Sequence, residues 1–317
     1  MKKVSIIGAG QLGSRHLQGL MKGETEMEIW VIDPNPESLN MANERCEQVT
    51  PTTPKKVHFT DNIEELPPML DLVIVASGSK PRAFIVKALL AQSAVQYMVL
   101  EKFLFTRLSE YDEIATLLKE KGVTCWVNCG RRMLSGYEQI KPFINPDKPV
   151  VMAFMGSQWG MCCNTVHFVD IWMYLAGDSP FKVDMTHVEP RIVDSKRKGY
   201  IELYGIERFS SYNGDELTLG ALENYTEKPL VKISNDNKEF IVDEAGSVWY
   251  HDGESHPYQT RFQSENTGIL ADEIFTTGSC RLSKYSSSAE YHKPYLQAVM
   301  DFVNKVQGTN NDSCPIT

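Results

Sequence analysis

Val4-Ser5-Ile6-Ile7-Gly8-Ala9-Gly10-Gln11-Leu12-Gly13 decides the fold of the first part of this chain. A short apolar strand runs into a tight turn at Gly8, where a residue without Cβ can adopt the required backbone angles. Gly10 lets an anion approach the backbone, and Gly13 lets the next helix lie close to the strand. The N-terminus of the helix that follows offers free N–H groups and a positive dipole end, a setting for a pyrophosphate. Leu12, His16, Leu17 and Leu20 keep helical spacing, and Gly23 is a stop. Met27-Glu28-Ile29-Trp30-Val31-Ile32-Asp33 then reads as a second strand that ends in an acid. At that place a carboxylate accepts from the ribose hydroxyls of a bound dinucleotide and repels a 2′-phosphate, so NAD is expected over NADP. An ordinary βαβ unit with a turn-forming Asp before Pro34 would show the same residues without the ligand.

The alternation continues to about residue 128. Asp71-Leu72-Val73-Ile74-Val75-Ala76 and Val95 to Leu100 are continuous apolar runs, as strands buried on both faces of a parallel sheet require. Lys56 to Phe59 and Thr124 to Val127 are further strands. Helices are expected near Glu37–Arg45, after Pro81 and from Ser109 to Lys121. Together they predict a doubly wound parallel sheet, a dinucleotide-binding domain over residues 1–128.

From residue 129 to 317 the pattern changes to an expected α+β domain. A strand is predicted from Val150, and a helix from Asn164 to Ala176 ending at Gly177. Strand-like segments with turn signals at Asn213-Gly214 and Asp252-Gly253 follow, predicting a mostly antiparallel sheet. Tyr295, Leu296, Val299, Phe302, Val303 and Val306 form one apolar stripe on a closing helix, from about Ser288 to Gln307.

The 317 residues suit two domains rather than one core. With 42% hydrophobic and 23% charged residues the chain has the composition of an ordered globular protein. A net charge of −9 argues against a nucleic-acid partner. No apolar run reaches the length of a membrane span, and Met1-Lys2-Lys3 enters a strand without a signal-peptide core. Seven scattered cysteines form no C-x-x-C pair, so neither a metal site nor a disulfide framework is expected, and a reducing cytoplasm is the expected compartment.

Three further clusters carry candidate chemistry. Ser77 and Ser79 lie in a small-residue loop beyond a strand end, where cofactors pass in open α/β sheets. Glu101-Lys102 lies beyond the next strand end; a lysine beside an oxidised nicotinamide suits a substrate hydroxyl. His167 and Asp170 share a helix face, with Asn164 one turn earlier; the imidazole can exchange a proton and Asp170 could orient it. Asn128, Arg131 and Arg132 follow the last strand of the first domain, and one of the arginines is a candidate to meet cofactor or substrate. The run Lys196-Arg197-Lys198 reads as a solvated loop, or as a phosphate contact if it faces the substrate.

Taken together, the glycine loop with its trailing His16, Glu101-Lys102, Trp159-Gly160-Met161-Cys162-Cys163-Asn164-Thr165-Val166-His167-Phe168-Val169-Asp170, and the stretch from Tyr285 through His292-Lys293-Pro294 resemble the glucose–fructose oxidoreductase/inositol dehydrogenase/MocA family. The resemblance implies a Rossmann domain, an α+β domain with a large open sheet, and a final helix packed back toward the first domain. It implies hydride transfer between nicotinamide and a sugar, sugar derivative or nucleotide sugar, and a homodimer or homotetramer. Lys102 and His167 become the expected catalytic pair. Asn164, His167, Asp170 and Arg131 become expected substrate contacts. Gly8, Gly10, Gln11, Leu12, Gly13, Asp33, Ser77, Ser79, Glu101 and Lys102 become expected cofactor contacts.

Two positions depart from the family pattern. Phe103 stands where the family has Pro, and a non-proline cis bond costs about 2.5–4 kcal/mol, so a trans bond is expected there. Cys163 stands where the family often has Asp, which reduces the usual trio to Lys102 and His167. The alternatives are a non-catalytic nucleotide-binding sensor and a scaffold that uses the fold only for interaction.

Overall fold

The computed structural model describes residues Met1–Thr317. In chain order it contains β1 (Lys2–Ile7), α1 (Gln11–Met21), β2 (Met27–Ile32), α2 (Pro36–Glu47), β3 (Lys55–Thr60), β4 (Met69–Val75), α3 (Ser79–Gln92), β5 (Ala94–Glu101), α4 (Leu108–Glu120) and β6 (Thr124–Asn128). Then come α5 (Ser135–Ile140), β7 (Val150–Ser157), α6 (Met161–Ala176), β8 (Phe181–Val188), β9 (Val193–Asp194), β10 (Ile201–Glu202), β11 (Gly205–Ser211) and β12 (Glu216–Leu222). The chain closes with β13 (Val231–Asn235), β14 (Lys238–Asp243), β15 (Val248–His251), β16 (Glu254–Pro257), α7 (Gln263–Thr277), β17 (Ser283–Lys284) and α8 (Tyr285–Gln307).

The chain divides into two compact units. The first holds Met1–Phe105, Ser109–Asn128 and Arg261–Tyr285; the second holds Thr106–Leu108, Cys129–Thr260 and Ser286–Thr317. The first unit is built on one sheet in the order β17-β6-β5-β4-β1-β2-β3. All pairs are parallel except β17 on β6. The strand order reverses between β1 and β4, which is where a doubly wound sheet opens a crevice at its carboxyl edge. The apolar runs of β4 and β5 are buried, with Leu72, Val73, Ile74, Val75, Met98, Val99 and Leu100 at 0% exposure.

Segment 261–285, read from sequence as part of the second domain, belongs to the first unit. Helix α7, not among the helices expected from sequence, packs on α1. The contact is close because small residues face each other: a Cβ on Gly19 would come within 2.7 Å of the Thr267 Cβ, and Gly268 lies against the Gly19 carbonyl and Gly23. Asp272 of α7 accepts from the Glu24 and Thr25 backbone N–H groups at 2.7 and 2.9 Å. A glycine inside a helix and a weak apolar stripe hide such a helix from periodicity, although they are what the close packing needs.

The second unit carries an eight-stranded sheet in the order β16-β15-β14-β13-β7-β12-β11-β8. It is mostly antiparallel, and β7 pairs with β12 in parallel. One face is covered by α6, which packs against β7 and β12. Phe168 of α6 stacks on Phe154 of β7 with ring centroids 4.4 Å apart. Helix α6 begins at Met161, one turn before the expected start at Asn164, because Gly160 adopts a left-handed conformation (φ 76°) that turns the chain into the helix. No helix is long and apolar enough to cross a membrane.

Candidate functional site

The glycine turn in the first unit has the geometry of a phosphate cradle. Gly8 sits at φ 98°, and a Cβ there would press on the Ala76–Ser77 peptide at 2.9–3.0 Å. A Cβ on Gly13 would collide with the Gly8 carbonyl oxygen. Gly10 differs: nothing lies within 4 Å of the position its Cβ would take. Gly10 is also the N-cap of α1 and supplies no side-chain cap, so the first N–H groups of the helix, at Gln11, Leu12 and Gly13, have no side-chain partner there. An open space against unclaimed N–H donors at a helix N-terminus fits a pyrophosphate.

Asp33 follows the end of β2 beside this turn. One carboxylate oxygen accepts from the Ala9 N–H at 2.7 Å and the other from the Asn35 N–H at 2.9 Å. The acid therefore braces the turn itself while staying half-exposed. Gln11 turns its side chain toward α2, donating to the Met41 sulfur and accepting from Arg45 at 2.6 Å. Arg45 also donates to the Ser14 hydroxyl at 2.6 Å and so fixes α1 to α2.

Ser77 and Ser79 flank the turn into α3, another helix whose N-cap, Gly78, supplies no side chain. The Ser77 hydroxyl is buried and has no hydrogen-bond partner in the protein. Arg82, one turn into α3 and 1% exposed, was not singled out from sequence. Its guanidinium donates to the carbonyls of Ser77, Phe103 and Leu104, the last at 2.8 Å. It thus joins the loops that follow β4 and β5.

The Lys102–Phe103 peptide is cis, against the expected trans form. The expectation weighed only the intrinsic preference of the bond. The fold adds a fully buried Phe103 ring and a buried guanidinium on the Phe103 carbonyl. Lys102 itself is half-exposed at the end of β5.

Glu101 is 3% exposed and lies in a polar network. It accepts from His16 Nε2 at 2.9 Å and from the Asn128 amide. His16 Nδ1 meets the Thr267 hydroxyl at 3.0 Å, and Gln263 closes the ring to Asn128 at 3.1 Å. Burial alone pushes the Glu101 carboxyl up; hydrogen bonds from His16 and Asn128 and the nearby Lys102 charge outweigh it and leave the carboxyl below its usual range. Glu101 is thus a buried anchor of the segment carrying Lys102. Asn128, Gln263 and Thr267 complete it; the sequence pointed to Asn128 only by its place at the end of β6, and only convergence in space reveals Gln263 and Thr267.

The second unit holds the other candidates, and several are engaged within it. Arg131 makes a two-pronged pair with Glu244 at 2.8 and 3.0 Å and lies 4.0 Å over the Phe168 ring. Tyr137 donates to the same Glu244 at 2.7 Å. Asp170, fully buried, accepts from Arg132 Nε at 2.7 Å. Arg131 and Asp170, expected as substrate contacts, are therefore members of internal ion pairs. Both guanidinium groups lose hydration on burial, and their carboxylate partners more than offset that, so both stay protonated.

His167 is half-buried on α6. Asn164 donates to the Trp159 carbonyl at 2.7 Å and lines a cavity of about 450 Å³ at the start of α6. Cys163, Trp159 and Tyr204 line it too, as do Lys196 and Arg197. A larger hollow, about 760 Å³, is a shallow furrow along α3 and α4 that contains none of the candidate residues. Size alone does not locate the site. The smaller cavity has the mixed aromatic and polar lining of small-ligand sites.

A reversing parallel sheet, a braced glycine turn and an acid after the second strand define a dinucleotide-binding α/β protein. Residues 2–129 match the GFO_IDH_MocA model, that of an oxidoreductase family with an NAD-binding Rossmann fold. A comparison with curated protein sequences finds no match. Among solved structures the chain is similar to UDP-N-acetylglucosamine 3-dehydrogenase GnnA from Acidithiobacillus ferrooxidans, with a TM-score of 0.73 and 13% identity over 96% of this chain and 98% of that one. An oxidoreductase from Agrobacterium radiobacter, solved with NAD+, L-tartaric acid and magnesium, gives 0.72 and 13% over 95% and 96%. A super-repressor mutant of Gal80p from Saccharomyces cerevisiae gives 0.71 and 14% over 98% and 97%. At such identities the likeness is one of fold, and it extends across both units.

Proposed function

We propose that this protein is an NAD(H)-dependent oxidoreductase acting on a CH–OH carbon of a sugar, sugar derivative or nucleotide sugar. The observation that carries the proposal is the open space at Gly10 against the uncapped start of α1, beside Asp33. Gly8, Gly10 and Gly13 admit the pyrophosphate, and Asp33 accepts from the ribose and disfavours a 2′-phosphate. Ser77 offers its buried hydroxyl nearby. Bound nicotinamide supplies the hydride acceptor or donor. Lys102 holds the reacting hydroxyl, and His167 takes its proton when the substrate is oxidised. Glu101 and His16 hold the Lys102 segment in place. GnnA, a dehydrogenase of a nucleotide sugar, supports the substrate class.

Reduction of NAD+ by members of a sugar and nucleotide-sugar panel tests the proposal. Lys102→Ala and His167→Ala should each lower kcat on the active compound by about 10²–10⁴-fold, and His167→Ala should do so while NADH affinity holds. Wild-type turnover in both variants would overturn the assignment of roles.

A regulatory reading is favoured by one observation: Cys163, Arg131 and Asp170 leave fewer charged groups for chemistry than the family pattern, and Gal80p shares the fold. A protein that binds NADH tightly and whose bound NAD+ is reduced by no compound of the panel would support it.

A further inference from the structure

Lys196 and Arg197 sit in the loop that joins β9 to β10, a two-stranded hairpin paired at Ile201–Asp194 and Glu202–Val193. The hairpin is fastened to the start of α6: Glu202 accepts from the Cys162 N–H at 2.8 Å, so its charge is spent on the helix N-terminus. The loop is closed by a Ser195 N–H to Tyr200 carbonyl bond at 2.8 Å. This fastening brings two consecutive cations to the wall of the cavity that Asn164 and Trp159 also line. Arg197 uses one N–H on the Thr317 hydroxyl, at 2.8 Å, and neither cation is held in an ion pair. Asp194 is the remaining acid of the lining. Two consecutive cations on the cavity wall, with Glu202 spent on the helix and Asp194 the one acid side chain left beside them, are a recognition element for a strongly charged oxyanion.

We propose that Lys196 and Arg197 form a phosphoryl-binding subsite in the cavity at the start of α6, so that the substrate carries a phosphoryl group, as a nucleotide sugar or a sugar phosphate does. The idea rests on the oxidoreductase reading for its substrate but not for its binding. Trp159 and Tyr204 supply ring faces for the attached sugar or base, and Asn164 a polar edge.

Isothermal titration of the full chain with inorganic pyrophosphate, UDP-glucose, glucose 6-phosphate and glucose tests this, comparing wild type with a Lys196→Ala/Arg197→Ala double variant. The glycine cradle is a second place for pyrophosphate, but it is common to both proteins and drops out of the comparison. The double variant should bind at least one phosphoryl ligand about tenfold or more weakly, with unchanged NADH affinity and a smaller salt dependence. Preference for UDP-glucose identifies a nucleotide sugar, and preference for glucose 6-phosphate a sugar phosphate; either supports the subsite. Equal phosphoryl affinities in the two proteins, or none in either, overturn it. NADH binding with turnover of a neutral sugar that ignores both substitutions would end this inference and leave the oxidoreductase reading standing. Phosphoryl binding lost with Lys196 and Arg197 in a protein that fails to bind NADH would do the reverse.

Discussion

A Cβ on Gly13 would run into the Gly8 carbonyl oxygen, whereas a Cβ on Gly10 would enter empty space. The two glycines therefore answer to different constraints, one to packing and one to a ligand. Gly13→Ala should destabilise the first unit by about 1–3 kcal/mol through overpacking, read as a lower midpoint in urea unfolding. The glycine spacing and Asp33 were legible in the sequence because turn geometry is local. That each Asp33 oxygen also accepts one backbone N–H, from Ala9 or Asn35, was not. Nor was the engagement of Arg131 and Asp170: their partners, Glu244 and Arg132, lie 113 and 38 residues away in sequence, and only the folded chain brings them together.

Elements are tied together by polar contacts as well as by their apolar faces. Glu207 on β11 is fully buried and accepts from Thr165 of α6 at 2.7 Å and Tyr295 of α8 at 2.9 Å. No cation offsets its burial, which pushes its pKa up from 4.5 to about 7. A carboxyl raised in the folded state keeps its proton where the unfolded chain has lost it. Its contribution is therefore fully present below about 4.5 and is lost as pH rises to about 7. At about 1.4 kcal/mol per unit the loss is about 3 kcal/mol. Glu207→Gln keeps an acceptor and removes the charge, so it should flatten this slope and be the more stable protein above neutrality, as urea unfolding across the range would read. An unchanged slope would contradict the assignment. The strands of the parallel sheet were legible from their continuous apolar runs. Helix α7 was not, because Gly268 and Thr267 are chosen for closeness to Gly19 rather than for an apolar stripe.

At the scale of the whole molecule, the first unit is discontinuous in sequence, since it needs Arg261–Tyr285 in addition to the N-terminal stretch. A fragment ending at residue 128 lacks the helix that covers Gly19 of α1 and the strand β17 that extends the sheet beyond β6. That fragment should aggregate or show no cooperative thermal transition, while the same fragment with 261–285 joined by a flexible linker should melt cooperatively. The composition and the change of pattern near residue 129 revealed two units but not this return of the chain, because contacts between distant segments leave no period in the sequence. The proposed function requires that the glycine turn hold a nicotinamide dinucleotide. Fluorescence titration of the full chain with NADH tests it most directly, with Gly10→Val beside wild type. Wild type should bind NADH and prefer it to NADPH. Gly10→Val should keep the circular dichroism spectrum and thermal midpoint of wild type and lose about tenfold or more in affinity, because its side chain fills the space left for the pyrophosphate. A wild-type protein that binds neither nucleotide, or a Gly10→Val protein that binds NADH equally well, would contradict the claim.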